Sequence, residues 1–166
     1  MAAGTVRLRE FNDKWASIDY PPETVRDDDL SALEERLGVV FPSGYREAVL
    51  EVGLPRPTIA LLDAIVEREL DLAPVGDFYS PAEIAEETLG WRELGMPAQL
   101  IAIASDGMGN KFCFDSNDLK QGAAHGQAAI WFFDHDFDTV KEIAPSFEAW
   151  VGMLCDAEPW PDVAGR

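Results

Sequence analysis

The run Asp134-His135-Asp136-Phe137-Asp138 sets three carboxylates at alternate positions around one imidazole, groups able to bind a cation or carry a proton. Carboxylates so spaced suit a hard ion such as Ca²⁺ or Mg²⁺, so one reading is a metal-dependent hydrolase using the Asp134–Asp138 region. Tested as an EF-hand loop the run fails. With Asp134 first, the obligatory glycine position is Thr139 and the bidentate glutamate position is Pro145. The favoured reading is a solvated acidic strand end with no metal and no cofactor. His135 stands alone beside these acids and His125 falls in a Gly/Ala-rich turn, so no HExxH pair exists and neither imidazole is a motivated general base.

Asp106-Gly107-Met108-Gly109 offers glycines for a phosphate cradle, but the third glycine of a dinucleotide fingerprint would fall on Phe112, and a strand follows instead of a helix. Ser105, in Ile103-Ala104-Ser105-Asp106-Gly107, lacks the first glycine of a nucleophile elbow. Cys113, between Phe112 and Phe114, alternates into a packed face where burial raises a thiol's pKa and suppresses its reactivity. Cys155 falls on a helix, and the two cysteines form neither a CxxC pair nor a metal-type spacing. No nucleophile, base and orienting group assemble, so the chain is not expected to be an enzyme.

Bulk properties narrow the alternatives. The 166 residues fit one domain spanning 1–166, and 47% hydrophobic residues with five tryptophans supply a core. Thirty-one Asp and Glu against 13 Lys and Arg give a formal charge of −18. Binding to nucleic acid gains by neutralising phosphates with cations, so this chain would be repelled, and anionic lipid surfaces are disfavoured for the same reason. The segment MAAGTVRLRE has no apolar stretch behind its basic residues, and nowhere do about 18 apolar residues run together. The expectation is a cytoplasmic protein with a protein partner, no nucleic acid and no membrane. Acids outnumber bases most strongly over 63–93 and 131–166, and the expected partner-binding residues are Asp134, His135, Asp136 and Asp138 in the second of these, with Asp106 on the glycine hairpin.

The elements that must position these groups follow from periodicity. Val6, Leu8, Phe11 and Trp15 predict a first helix stopping before Pro21-Pro22. Asp27 or Asp28 caps a second, with Leu30, Leu33 and Leu37 on one face and Gly38 at its end. Ser43 caps a third, with Tyr45, Ala48, Val49 and Val52 inward, ended by Gly53. Over 58–70 a stripe of Ile59, Leu62, Val66 and Leu70 predicts a helix whose acids, Asp63, Glu67 and Glu69, form an outer face. Ser80-Pro81-Ala82-Glu83 is a capping box with Pro at N1, opening a helix over 81–94 whose Glu83, Glu86, Glu87 and Glu93 form a solvated face. Then the period changes. Strands are predicted at 100–104, 110–115 and 128–133, the first two joined by the glycine turn at 105–109 and the third preceded by a turn near Gly122 and Gly126. A closing helix starts at Pro145-Ser146, with Phe147, Trp150, Val151 and Leu154 as its stripe. Trp91 and Trp131 are read as core. The fold class is therefore α+β: N-terminal helices, a central antiparallel β-meander, and a C-terminal helix packed on the sheet.

Four of these segments, in this order, resemble the SUKH superfamily, the Smi/Knr type named partly for a yeast cell-wall assembly regulator. Phe41-Pro42-Ser43-Gly44-Tyr45-Arg46 is similar to its proline, small polar, tyrosine, basic element. Ile103 to Asn110 with Phe112 and Phe114 is similar to its glycine hairpin. Ile130-Trp131-Phe132-Phe133-Asp134-His135-Asp136 is similar to its aromatic strand, and Ile143-Ala144-Pro145-Ser146-Phe147 with Trp150 to the start of its last helix. The resemblance covers about 28–154. Gly53-Leu54-Pro55 stands where many relatives have Asn-Gly-Gly, and Met108 replaces a common glycine. It implies a non-catalytic protein-binding domain, in bacteria most often an immunity protein that silences a polymorphic toxin, commonly a nuclease with a basic cleft. The alternative is a regulatory scaffold of the cell-wall type; the oligomeric state is left open.

Overall fold

The computed structural model describes residues 2–122 and 127–161. Its elements are α1 (Ala3–Trp15), α2 (Asp27–Leu37), α3 (Ser43–Glu51), α4 (Ile59–Glu67), β1 (Asp77–Phe78), α5 (Pro81–Glu93), β2 (Leu100–Ser105), β3 (Lys111–Asp115), α6 (Ser116–Gly122), β4 (Ile130–Asp134), β5 (Thr139–Ala144) and α7 (Phe147–Asp156). The strands form one antiparallel sheet in the order β1-β2-β3-β4-β5, so the α+β meander with a closing helix is as expected. The turn near Gly126 and His125 lies outside the described residues.

Alternation along β3 and β4 divides the sheet into two faces. On one, Phe112 packs on Trp150 of α7 at 4.8 Å between ring centroids, and Phe114 meets Tyr45 of α3 edge-on at 5.3 Å. On the other, Lys111 and its cross-strand neighbour Phe133 lie under Trp91 of α5. α1 closes the first face: Phe11 packs edge-to-face on Phe78, and the Trp15 indole N–H donates to the Leu154 carbonyl at 2.9 Å. Gly4 permits close packing of α1 on α3, since a Cβ there would stand 3.0 Å from the Gly44 carbonyl oxygen.

Local chemistry accounts for several helix ends. Ser80 and Glu83 form the full capping box of α5, and Gly38 terminates α2 in the left-handed conformation at φ 67°. The expected caps of α2 and α3 shift by one residue. Arg26 and Pro42 occupy the N-cap positions, so Asp27 and Ser43 are the first helical residues, and Asp27 to Asp29 favour the helix dipole instead of capping.

α4 overturns the expected stripe. Leu61, Ala64 and Ile65 are its buried residues, whereas Ile59, Leu62 and Val66 are exposed beside Glu67. The sequence Ile-Ala-Leu-Leu-Asp-Ala-Ile-Val is apolar nearly all round, so several faces satisfy the i, i+3 rule, and tertiary packing selects among them. Three elements were not anticipated: the two-residue β1, the helix α6, and β5. Trp91 and Trp131 are half-buried against the core, each indole N–H satisfied at the rim by a carboxylate, Glu87 at 3.1 Å and Asp118 at 3.0 Å.

Candidate functional site

The meander brings two turns side by side at one end of the sheet: residues 106–110 between β2 and β3, and 135–138 between β4 and β5. In the first, the Asp106 carboxylate shapes the loop. One oxygen accepts from the Met108 amide at 2.8 Å and the Asn110 amide at 3.2 Å, and the other accepts from the Asn110 side-chain amide at 2.8 Å. Gly107 and Gly109 take positive φ of 84° and 93°, as the tight turn requires. In the second turn one Asp134 oxygen accepts from the Asp136 amide at 3.0 Å and the Phe137 amide at 3.4 Å, and Asp138 adopts φ 52°.

His135 joins the two. Its backbone amide donates to Asn110 Oδ1 at 3.2 Å and its Nδ1 lies 2.9 Å from the same oxygen. The Asn110 amide nitrogen donates to Asp106, so Oδ1 faces His135, and the other ring nitrogen, Nε2, faces Asp136 Oδ1 at 3.3 Å. The ring stacks edge-on against Trp91 at 5.4 Å and seats on Gly109, where any Cβ would come within 2.8 Å of it.

All five residues expected from sequence therefore meet in one place, in unlike roles. Asp106 and Asp134 are used in holding turns, while Asp136 and Asp138 are exposed. Asp134, His135 and Asp136 each offer one ligand atom within 4.8 Å of the others. Asp134 Oδ1 and His135 Nδ1 are engaged in the bonds that shape the turn, which leaves Asp134 Oδ2, His135 Nε2 and Asp136 as the atoms a cation would meet.

A second cluster, behind the first, escaped the sequence reading. Lys111 is only 4% exposed, yet its Nζ reaches the Tyr79 hydroxyl at 2.7 Å and Glu87 at 3.2 Å and lies 5.0 Å from the Trp91 ring centroid. Glu87, expected to be solvated, thus binds both Lys111 and Trp91. A lysine in alternation reads as outward-facing, and only the aromatics at 79 and 91, distant in sequence, make an inward one tolerable. The exposed apolar side chains at the turn tips, Met108 at 74% and Phe137 at 76%, were also missed.

The thiols are not part of any site. Burial pushes Cys113 far up and Cys155 to about 11, suppressing the reactive thiolate. Both are free and buried. No helix among the described residues is long and apolar enough to cross a membrane.

Helices on both faces of a five-strand antiparallel meander, with the polar groups gathered at one end on turns, define an α+β scaffold that presents loops. The chain belongs to the SMI1/KNR4 family (SUKH-1), whose model matches residues 24–153. Members of this family are generally non-catalytic. No curated protein matches the chain. The matched span takes in the Tyr45-Arg46 element, whose role is architectural: Tyr45 packs among Phe41, Phe114 and Phe147, and Arg46 bridges Asp27, Glu34 and Ser31 to hold α2 on α3. α1 lies outside the span yet is locked to α7 through Trp15 and Lys14.

Proposed function

We propose that this chain is a non-catalytic immunity protein, acting in the cytoplasm, that binds a basic toxin domain of nuclease type through the surface formed by Asp106, Asp134, His135, Asp136 and Asp138. Membership of a family whose members are commonly immunity proteins supports the class of activity. The observation that carries the choice of surface is the juxtaposition of the two turns, which gathers carboxylates from β2–β3 and β4–β5 around one imidazole. With a chain charge of −18, such a surface steers a cationic cleft toward itself, raising association rates by roughly 10–10³ over uncharged encounter.

The test is affinity purification of the tagged chain from its native host, followed by recombinant production of whatever co-purifies in stoichiometric amount. The expected result is a basic protein that arrests growth when expressed alone and is silenced by co-expression of this chain. A partner that is acidic, or one that stays fully toxic beside the chain, would reject the proposal.

A further inference from the structure

The hydrogen bonds of the two turns assign their residues unequal work. Asp106 and Asp134 accept from the backbone amides of the residues that follow them, the pattern by which an aspartate fixes a turn. Their charges are therefore partly spent on the loop itself. The amides so fixed include those of Met108 and Phe137. Each of these side chains is about three-quarters exposed although its own backbone is tied down, so the exposure comes from a defined conformation and not from a loose loop. The tips are also tied to each other: His135, two residues before Phe137, is bonded to Asn110 and seated on Gly109, which adjoins Met108. Behind them Trp91 supports His135 and is itself held over Lys111.

We propose that Met108 and Phe137 are paired apolar anchors that seat in an apolar recess within the basic surface of the protein partner, with Asp136 and Asp138 supplying the steering charge and Asp106 and Asp134 acting as positioning residues. This deepens the binding reading above and rests on it. Charge complementarity selects the occupant: exposed carboxylates flank the Phe137 side chain on both sides in sequence, so the recess that takes it must carry cations at its rim. Large apolar side chains presented without ordering cost are the usual source of slow dissociation, and methionine adapts to an imperfect pocket.

The experiment measures association and dissociation rates, by surface-based kinetics at several salt concentrations, of full-length variants against the recombinant partner obtained by co-purification. Met108→Ala with Phe137→Ala should raise the dissociation rate by about 10-fold or more while leaving association within about 2-fold. Asp136→Asn with Asp138→Asn should slow association and flatten its salt dependence. Asp134→Asn keeps the oxygen its turn uses and loses the charge, so it should slow association less than the Asp136/Asp138 pair, whereas Asp106→Asn sets an amide NH2 against the Asn110 side-chain amide and Asp106→Ala removes the acceptors, so both should bind more weakly. The anchors fail if the Met108/Phe137 variant dissociates at the wild-type rate. The division among the acids fails if Asp134→Asn slows association as much as Asp136→Asn with Asp138→Asn. Should no substitution in either turn alter either rate, the surface itself is wrong and the proposed function loses its site. Melting temperatures serve as the folding control, since replacing side chains this exposed leaves the fold intact.

Discussion

The region around Trp150 and the region around His135 are built by opposite means. Around Trp150 the contacts are apolar and complete: Phe78, Phe112 and Phe147 surround the ring at 4.8 to 5.9 Å, and its own exposure is 2%. Around His135 the backbone is held by side-chain oxygens of Asp106, Asn110 and Asp134, and the apolar groups point outward. The first region draws its stability from area removed from water, which tolerates no change of volume. The second draws its shape from directional bonds and leaves its apolar surface unspent, as a surface meant to be covered by a partner would. A protein built this way should lose its fold when one region is cut and its binding when the other is.

Trp150→Ala is the largest expected break in that contrast. Removing a fully buried indole should cost about 3–5 kcal/mol, read as a lower denaturation midpoint with little change in slope. Alkaline pH attacks the same region. Burial raises Tyr45, Cys113 and Cys155 in the folded chain, so their contribution is fully present below their ordinary values and is lost as pH rises. Unfolding should therefore become easier from about pH 8.5 upward, where thiols ionise in the unfolded chain, and continue through pH 11, with each fully buried group costing up to about 1.4 kcal/mol per pH unit. A denaturation series between pH 8 and 11 checks this, and Cys113→Ala should make the decline shallower. A flat profile across that range would contradict the burial of these groups.

Lys111→Met sharpens the boundary between the regions. The ammonium sits in an aromatic enclosure, but its carboxylate partner Glu87 keeps 37% of its side-chain surface in water and also receives the Trp91 N–H. Glu87 can thus recover hydration when the lysine is lost, and methionine refills the space, so the cost should be about 1 kcal/mol instead of the several expected for a fully buried pair. Lys111→Ala, which leaves a void between Tyr79 and Trp91, should cost more. Chemical denaturation of the two variants side by side gives the comparison.

What the sequence made legible were features decided within a few residues. Ser80, Pro81 and Glu83 are neighbours, and their capping box needs no tertiary partner. Gly107 and Gly109 announce their turn because few other residues take positive φ. Asp134, Asp136 and Asp138 could be grouped because acids are dense over 131–166, and Asp106 joined them only as part of the glycine hairpin; density does not separate Asp134, which folds back on its own turn, from Asp138, which faces solvent. β5 was invisible for a physical reason. Thr139, Val140, Lys141 and Glu142 are all exposed, so the edge strand carries no inward alternation to detect, and its lysine and glutamate suit an edge that must not pair with a copy of itself. The outward face of α4 and the inward Lys111 were fixed by packing between distant segments, which no local window contains.

In the turns, where the contrast between holding shape and contacting a partner is finest, the effects run from moderate to the smallest. Gly109→Ala should cost about 1–3 kcal/mol, because its φ is 93° and its Cβ would meet the His135 ring at 2.8 Å. Backbone amide exchange should quicken at 106–110 and 134–138 while the Trp150 region keeps its protection. Asp136→Asn with Asp138→Asn should leave stability within about 0.5 kcal/mol, since both side chains are exposed and neither fixes a turn. Divalent cations extend the same logic. If these exposed acids serve to steer a partner and not to hold an ion, millimolar Ca²⁺, Mg²⁺ or Zn²⁺ should leave the melting temperature unchanged; a rise that disappears in Asp136→Asn would mean that the cluster binds metal.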